Sequence, residues 1–214
     1  MRKLIGLALV LLAASLPPAP GLAQTDVSRP GTVAHAGAGT GFPEQIGRFR
    51  RAHVLQYDDG GLDLSANYDL ETGGGWIRLS VYIYPAPRVT EADQGQTCRM
   101  IFDQVTGEIL RNEDGVRAIE SGTAPAAPGV DPALGLYAAH DMTLRMRQGP
   151  QPLRTETYLY CYVGRDWLVK FRISATPGLN LRPEVESFIR NGPWPGRAMP
   201  GAVAPRAVAP ENVT

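Results

Sequence analysis

Most of this chain carries the period-two alternation of apolar and polar residues that is typical of β-strands. The clearest case is residues 76–84, where every second position is aliphatic (Ile77, Leu79, Val81 and Ile83). Residues 62–70 show the same alternation, and residues 47–57 are read as a strand from their β-forming residues Phe49, Val54, Leu55 and Tyr57. Asp-Gly and Gly-Gly sequences separate the three segments. Because such pairs favour tight turns, the pattern predicts a three-stranded antiparallel meander.

The rest of the chain adds four strands and two helices to this prediction. Strands are expected at residues 116–121, 136–147, 154–163 and 167–175. Between the two strand groups, apolar residues recur at helical spacing and predict a long helix over 91–112. Thr90 is its expected N-cap, and Gly107 is its weakest point. A short helix is expected over 182–191, with Trp194 packed back on the domain.

This order of elements predicts a single α+β domain. The helices must bury their apolar stripes, so we expect them to pack on a mainly antiparallel sheet of about six or seven strands. The 214 residues, less the leader and loose ends, leave about 150 for a folded domain, which is enough for one core.

The first 23 residues resemble a secretory signal peptide. Arg2 and Lys3 precede an apolar run from Leu4 to Leu16, and prolines and the small-residue segment Gly21-Leu22-Ala23 follow it. That run has 13 residues, fewer than the ~20 that a membrane-spanning helix needs. We therefore expect a periplasmic or extracellular protein that begins near Gln24 and has no transmembrane anchor after processing.

Composition predicts loose segments at both ends of the domain. Residues 24–41 contain almost no large apolar side chain and are expected to form a flexible lead-in, with His35 as a bystander. Residues 195–214 are rich in Pro and Ala and are expected to be a disordered tail. The folded domain is therefore predicted to span residues 42–194.

The charge balance argues against nucleic acid as a partner. The chain has 21 basic and 21 acidic residues, and removal of Arg2 and Lys3 leaves 19 basic residues. Nucleic-acid binding needs a concentrated positive field. The densest basic cluster is Arg48, Arg50 and Arg51, but Asp58 and Asp59 follow closely, which is typical of a solvated strand edge.

Several stretches resemble a group of uncharacterised exported bacterial proteins. They are GFPEQIGRFRR, the YD…Y…GGGW hairpin, VYIYPAP and YLYCYVGRDWLVKFRISAT. The order of elements over residues 42–194 is also similar to that of the Mog1/PsbP-type α/β/α sandwich. The resemblance implies a fold and assigns no functional residue, since its motifs are turns and strand ends.

Cys98 and Cys161 are the two cysteines of the chain. Exported proteins meet an oxidising compartment, and each cysteine falls on the apolar face of its predicted element. A disulfide between them is therefore expected, and it would close a loop of 63 residues. The alternative is two separate buried thiols.

The sequence lacks recognisable catalytic, metal or cofactor motifs. Zinc needs three or four ordered ligands, whereas His35, His53 and His140 are far apart in the chain, and His140 and Asp141 are expected on opposite sheet faces. The glycine-rich strings at 37–41 and 73–75 lack the features of a phosphate loop. We expect no catalytic residues, no metal and no cofactor.

Aromatic rows are the remaining candidate for a site. Their residues would form one binding face if the strands pair with their faces aligned (Trp76, Tyr82, Tyr84, Tyr158, Tyr160, Tyr162). The alternative is that these rings form a second core layer.

The sequence thus favours an exported, non-catalytic binding or accessory module of the bacterial cell envelope. Its expected partner is an envelope protein, a lipid or a small ligand. The second hypothesis is an envelope hydrolase without a recognisable motif, centred on His140, Asp141 and the tyrosine row. The third is a purely structural accessory to a larger assembly.

Overall fold

A computed structural model describes residues 24–112, 115–146, 149–162 and 166–195. The predicted leader (1–23) and the tail from residue 196 onward lie outside the described residues. Within the described part, eleven strands and two α-helices form the α+β fold that the sequence predicts.

Seven longer strands and four two-residue strands make up the β-structure. They are β1 (Thr25–Asp26), β2 (Val33–Ala34), β3 (Gly41–Phe42), β4 (Gln45–Ile46), β5 (Phe49–Gln56), β6 (Leu64–Thr72), β7 (Gly75–Pro85), β8 (Arg117–Thr123), β9 (Gly135–Met146), β10 (Gly149–Tyr162) and β11 (Trp167–Ala175). Nine of them form one antiparallel sheet, and β2 pairs with β3 separately.

The large sheet consists of two meanders joined side by side. The first is β5-β6-β7, as predicted, and the second is β8-β9-β10-β11. They meet where β11 pairs with β7, and Val169 lies opposite Ile83 there. Strand β8 therefore forms one edge of the sheet, and the short strands β1 and β4 pair with β5 near the other edge.

The two α-helices cover opposite faces of this sheet. Helix α1 (Gln94–Asn112) buries Cys98 and Phe102 against the face that carries Leu159. Helix α2 (Arg182–Asn191) buries Phe188 on the other face, among aromatic and aliphatic residues that alternate along the strands with those of the α1 face. The sheet is therefore the middle layer, as period-two alternation with helices on both sides requires.

Helix α2 lies over the larger core. The Phe188 ring makes edge-on contacts with Phe49 and Tyr68 at centroid distances of 5.1 Å. Trp194 is fully buried and packs on Phe171, so the expected return of this residue onto the domain is confirmed.

Residues 24–41 do not form the flexible lead-in that composition predicted. Strand β1 pairs with β5, Val33 is buried, and the guanidinium of Arg51 donates hydrogen bonds to the carbonyl oxygens of Arg29 and Gly31. Backbone pairing and this one arginine thus supply the order that the small side chains do not supply by themselves.

Some predicted boundaries also differ from the structure. Helix α1 is preceded by a 3₁₀ turn at Glu91–Asp93, and the Thr90 hydroxyl donates to the Asp93 carboxylate instead of capping a backbone N–H. The helix continues through Gly107, because the stripe that it buries extends to Ile109. Strand β10 begins at Gly149, five residues earlier than predicted, because it pairs with β9 from Gly149 to Tyr160.

No helix among the described residues has both the length and the apolar character needed to cross a membrane.

Candidate functional site

The two predicted aromatic rows lie on opposite faces of the sheet. Tyr160 pairs with Val169, which in turn pairs with Ile83, so Tyr160 lies on the α2 side. Tyr82 pairs with Lys170, which faces the α1 side. The expected continuous face of Trp76, Tyr82, Tyr84, Tyr158, Tyr160 and Tyr162 therefore does not form, since strand register sets which side chains share a face.

The row on β10 is part of the core. Tyr158, Tyr160 and Tyr162 are each at most 3% exposed. The Tyr160 hydroxyl donates to the carbonyl oxygen of Pro125 at 2.8 Å, and that of Tyr162 donates to Pro128 at 3.2 Å. These rings thus fill the core while their hydroxyl groups fix the loop between β8 and β9, as buried tyrosines commonly do.

The row on β7 is more exposed. Trp76 is 44% exposed, and Tyr82 and Tyr84 are half-buried. The Lys170 ammonium lies 4.3 Å from the centroid of the Tyr82 ring, and burial, followed by the nearby Arg172, lowers the pKa of Lys170. Burial raises the pKa of Tyr84 to about 12. These three aromatic residues share a face as predicted.

Cys98 and Cys161 come together as the disulfide prediction requires. The structure joins them with their Cα atoms 6.0 Å apart, within the usual range for a disulfide. Cys98 belongs to α1 and Cys161 to β10, so the pair ties the helix to the centre of the sheet.

The three histidines lie in separate places. His35 is buried, contrary to its expected role as a bystander in a loose segment: its Nε2 lies 3.2 Å from the Ile83 carbonyl oxygen, and its Nδ1 faces the backbone N–H of Ala38. His53 lies 2.5 Å from the Asn67 amide nitrogen. His140 pairs across the strands with Thr155, so it faces away from Asp141, as alternation predicts.

A concave site lies on the α2 face, near the β8 edge of the sheet. Strands β8, β9 and β10 form its floor, and residues 177–182, which comprise the loop after β11 and the first residue of α2, form one wall. The cavity measures about 420 Å³. We call it the polar cleft, because six of its floor residues carry polar or charged groups (Glu120, Tyr137, Asp141, Arg154, Glu156, Tyr158).

Glu156 is the centre of the floor. Its carboxylate is buried, with the residue only 6% exposed. It accepts a hydrogen bond from the Tyr158 hydroxyl at 2.7 Å and from two nitrogens of the Arg154 guanidinium at 3.4 Å. A buried carboxylate needs such partners, because removal of its hydration is costly.

Arg154 lies among three carboxylates. Its nitrogens lie 3.4 Å from Glu156, 3.6 Å from Glu120 and 3.8 Å from Asp141. The Tyr137 hydroxyl joins the network by donating to Glu120 at 2.8 Å. The floor therefore has more negative than positive groups.

A β-bulge in β8 brings Glu120 to the cleft. The register between β8 and β9 shifts between Ala118 and Glu120. Arg117 and Glu120 would normally point to opposite faces, but the extra residue lets both lie on the cleft side, where Arg117 pairs with Asp141 at 2.6 Å.

Burial and the carboxylates fix the protonation states of the donors. Burial, reinforced by Glu120 and Glu156, raises the pKa of Tyr137. Burial and Glu156 likewise raise that of Tyr158, so both phenols keep their protons at neutral pH. Burial opposes the charge of Arg154, but Glu156 and Tyr137 outweigh it and raise the pKa of this guanidinium.

The polar cleft offers fixed hydrogen-bond donors and acceptors. Among the described residues, no group of three or more His, Cys, Asp or Glu side chains is arranged to hold a metal ion. A rigid array of this kind is suited to recognising a polar ligand by shape and charge.

Glu120, Arg154 and Glu156 were not predicted from the sequence as site residues. The sequence did indicate two of them. Alternate residues of a strand share a face, so Glu156 and Arg154 are predicted to lie on the same face of β10 as Tyr158, Tyr160 and Tyr162. A carboxylate inside a strand that is otherwise buried is unusual. Glu120 could not be placed, since the bulge that directs it is not visible in the sequence.

A distant structural likeness links this chain to a solved structure. No family model and no curated protein matches this chain. The chain is similar to the Saccharomyces cerevisiae Ran-binding protein Mog1p, known from a crystal structure at 1.9 Å, with a TM-score of 0.29 and 10% sequence identity over 70% of this chain and 88% of that one. A likeness of this degree carries no argument about function.

Proposed function

We propose that this protein is an exported, non-catalytic binding module of the bacterial cell envelope, and that its ligand binds in the polar cleft. The observation that carries the proposal is Glu156, a buried carboxylate at the floor of an open cavity of about 420 Å³. This volume falls within the range of about 300–1,000 Å³ that is typical of ligand sites.

The contacts of Glu156 support binding rather than a purely structural role. A buried ion pair is weak evidence for a purely stabilising role, because the cost of desolvating its two charges can exceed the attraction between them. Here Arg154, Tyr137 and Tyr158 orient the Glu156 carboxylate at the floor of an open cavity. Such preorganised polar groups are the means by which pockets select ligands.

Two features support export. The leader-like pattern of residues 1–23 is that of a secretory signal peptide. The Cys98–Cys161 pair has the geometry of a disulfide, and disulfides persist in oxidising compartments such as the periplasm.

Site-specific photo-cross-linking in the native host tests the proposal. A photoreactive residue at Asn180, which lines the cleft, is expected to give a discrete cross-linked product. The same residue at Met100, which is 63% exposed on α1 at the opposite face, is the control and is expected to give none.

A variant that changes the charge of the cleft can be compared with a control variant that changes the charge elsewhere. Glu120→Gln keeps an acceptor for Tyr137 but removes a negative charge, and we expect it to reduce the Asn180 product several-fold. Glu91→Gln removes an exposed carboxylate far from the cleft and should leave the product unchanged. Equal products from positions 180 and 100, or a product insensitive to Glu120→Gln, would contradict binding at the cleft. Recovery of a chemically altered ligand would instead indicate an enzyme.

A further inference from the structure

Strand β8 is the open rim of the polar cleft. It is the last strand of the sheet, and in the described part of the chain no strand pairs with its outer edge. All seven of its residues are exposed. Its outward backbone N–H and C=O groups therefore present the pattern to which an extended polypeptide can add.

Gly122 makes a gap in this rim. It lies opposite Tyr137 and on the same face as Glu120, so a side chain at this position would point over the cleft. No atom lies within 4 Å of where a Cβ would be, and its φ is not in the left-handed region. The backbone therefore does not require glycine here, and the missing side chain leaves a passage from the edge into the cleft.

The charge inside the cleft favours a cation. Arg154 is the one guanidinium set among Glu120, Asp141 and Glu156. Of the other described arginines near the cleft, Arg182 lies 3.1 Å from Glu186, and Arg117 lies 2.6 Å from Asp141, which is one of the three carboxylates around Arg154. These three carboxylates therefore exceed Arg154 and Arg117 by one negative charge. An excess of carboxylates in a partly dehydrated cavity attracts a positive group and repels an anion.

We propose that the ligand is an extended segment of a partner protein that adds to the edge of β8 and places an arginine or lysine side chain across Gly122 into the polar cleft. This inference rests on the proposed function and specifies its partner. In such strand addition the backbone bonds supply affinity, while the side chain that enters the pocket supplies specificity.

The bulge in β8 limits where the partner strand can pair. A bulge disrupts regular pairing, so the edge is regular only over residues 120–123. This stretch contains both Glu120 and Gly122, whereas Arg117, which would repel a basic side chain, lies beyond the bulge. The only regular part of the edge is therefore next to the negative part of the cleft.

Matched peptides test this inference on the full mature protein. The probe is a fluorescent seven-residue peptide of alternating Thr and Val with a central Arg, and its binding is followed by fluorescence anisotropy. Replacement of that Arg by citrulline, which has the same shape without the charge, should weaken binding at least tenfold. Methylation of the peptide's backbone nitrogens at alternate residues should also abolish binding, because it removes strand pairing.

Variants of β8 distinguish the contribution of the gap at Gly122 to peptide binding from the contribution of the negative charge of the cleft. Gly122→Val fills the gap without steric strain and should weaken binding of the Arg peptide at least tenfold, although valine favours strands and should preserve the fold. Glu120→Gln should weaken binding of the Arg peptide but not of the citrulline peptide. Glu91→Gln is the charge-matched control and should have no effect.

Three results would overturn the inference. The first is equal affinity for the Arg and citrulline peptides, and the second is no effect of Gly122→Val on binding. The third is a dimer in analytical ultracentrifugation that Gly122→Val converts to a monomer, because a second copy of the chain would then occupy the edge of β8. If the peptides fail while the Asn180 cross-link still depends on Glu120, this inference is wrong and the proposed function stands.

Discussion

His35 uses both of its ring nitrogens in the core. The backbone N–H of Ala38 donates to Nδ1 at 3.2 Å, so the proton lies on Nε2, which donates to the Ile83 carbonyl oxygen. Its ring also lies edge-on to Trp167 at a centroid distance of 4.8 Å. Protonation of Nδ1 would therefore cost the protein an acceptor as well as burying a charge.

Stability should therefore fall as the pH is lowered below about 6.5. Burial lowers the pKa of His35, although its hydrogen bond to Ile83 and the charge of Asp58 oppose this, and burial also lowers the pKa of His140. The unfolded chain then binds protons before the folded one does, and the free energy of unfolding decreases by at most about 1.4 kcal/mol per pH unit for each histidine.

Urea denaturation between pH 7.5 and 5 measures this effect. The His35→Gln variant keeps a donor and an acceptor at this site but cannot titrate there, so its stability should depend less steeply on pH. Equal slopes for the variant and the parent protein would show that His35 does not contribute.

At the scale of elements, the disulfide is the strongest single connection of α1. The apolar cluster under this helix is the smaller of the two cores, and Cys98 and Cys161 both belong to it. The pair closes a loop of 63 residues, for which the chain-entropy model gives about 4 kcal/mol.

Replacement of both cysteines by alanine should lower the free energy of unfolding by about 2–5 kcal/mol. Hydrogen exchange should show faster exchange in α1, whereas α2, which packs on the other face, should keep its protection. Two reactive thiols in the denatured, unreduced parent protein would contradict the disulfide.

The periodicity of apolar residues predicted which segments are strands and which are helices, but it did not predict which side chains of different strands share a face of the sheet. The alternation at Ile77 and Leu79 and the stripe containing Val185 and Phe188 were sufficient to predict β7 and α2. Whether Tyr82 and Tyr160 share a face depends on how β11 pairs with both strands, and single-sequence patterns do not encode that register.

At the scale of the whole molecule, the N-terminal segment belongs to the fold. Val33 and His35 are each 3% exposed, and β1 pairs with β5. Composition did not predict that residues 24–41 are ordered, because Arg51 and Ile83, which hold this segment in place, lie outside it in the sequence.

Removal of residues 24–41 should therefore destabilise the folded domain. Loss of Val33 alone removes about 1.5–3 kcal/mol of apolar burial, and the pairing with β5 is lost as well. Thermal unfolding of a chain beginning at Phe42 should show a clearly lower melting temperature than one beginning at Gln24. Equal melting temperatures would show that residues 24–41 are a flexible lead-in that does not contribute to stability.

The polar cleft arises from long-range assembly. Its residues come from β8, β9, β10 and the 177–182 wall, and of these the sequence-based hydrolase hypothesis grouped only Asp141 with the tyrosine row that contains Tyr158. Only the Arg154-x-Glu156-x-Tyr158 spacing on one strand face was visible beforehand. A site made by strand pairing and a bulge becomes apparent only once the register is known.

The most direct test of the account is a map of backbone amide chemical shifts while ¹⁵N-labelled protein is titrated with the Arg peptide. We expect changes in residues 120–123, at Tyr137 and Glu156, and in residues 178–182. Changes confined to the α1 face around Trp76, Tyr82 and Lys170 would place binding on the other side of the sheet and contradict it.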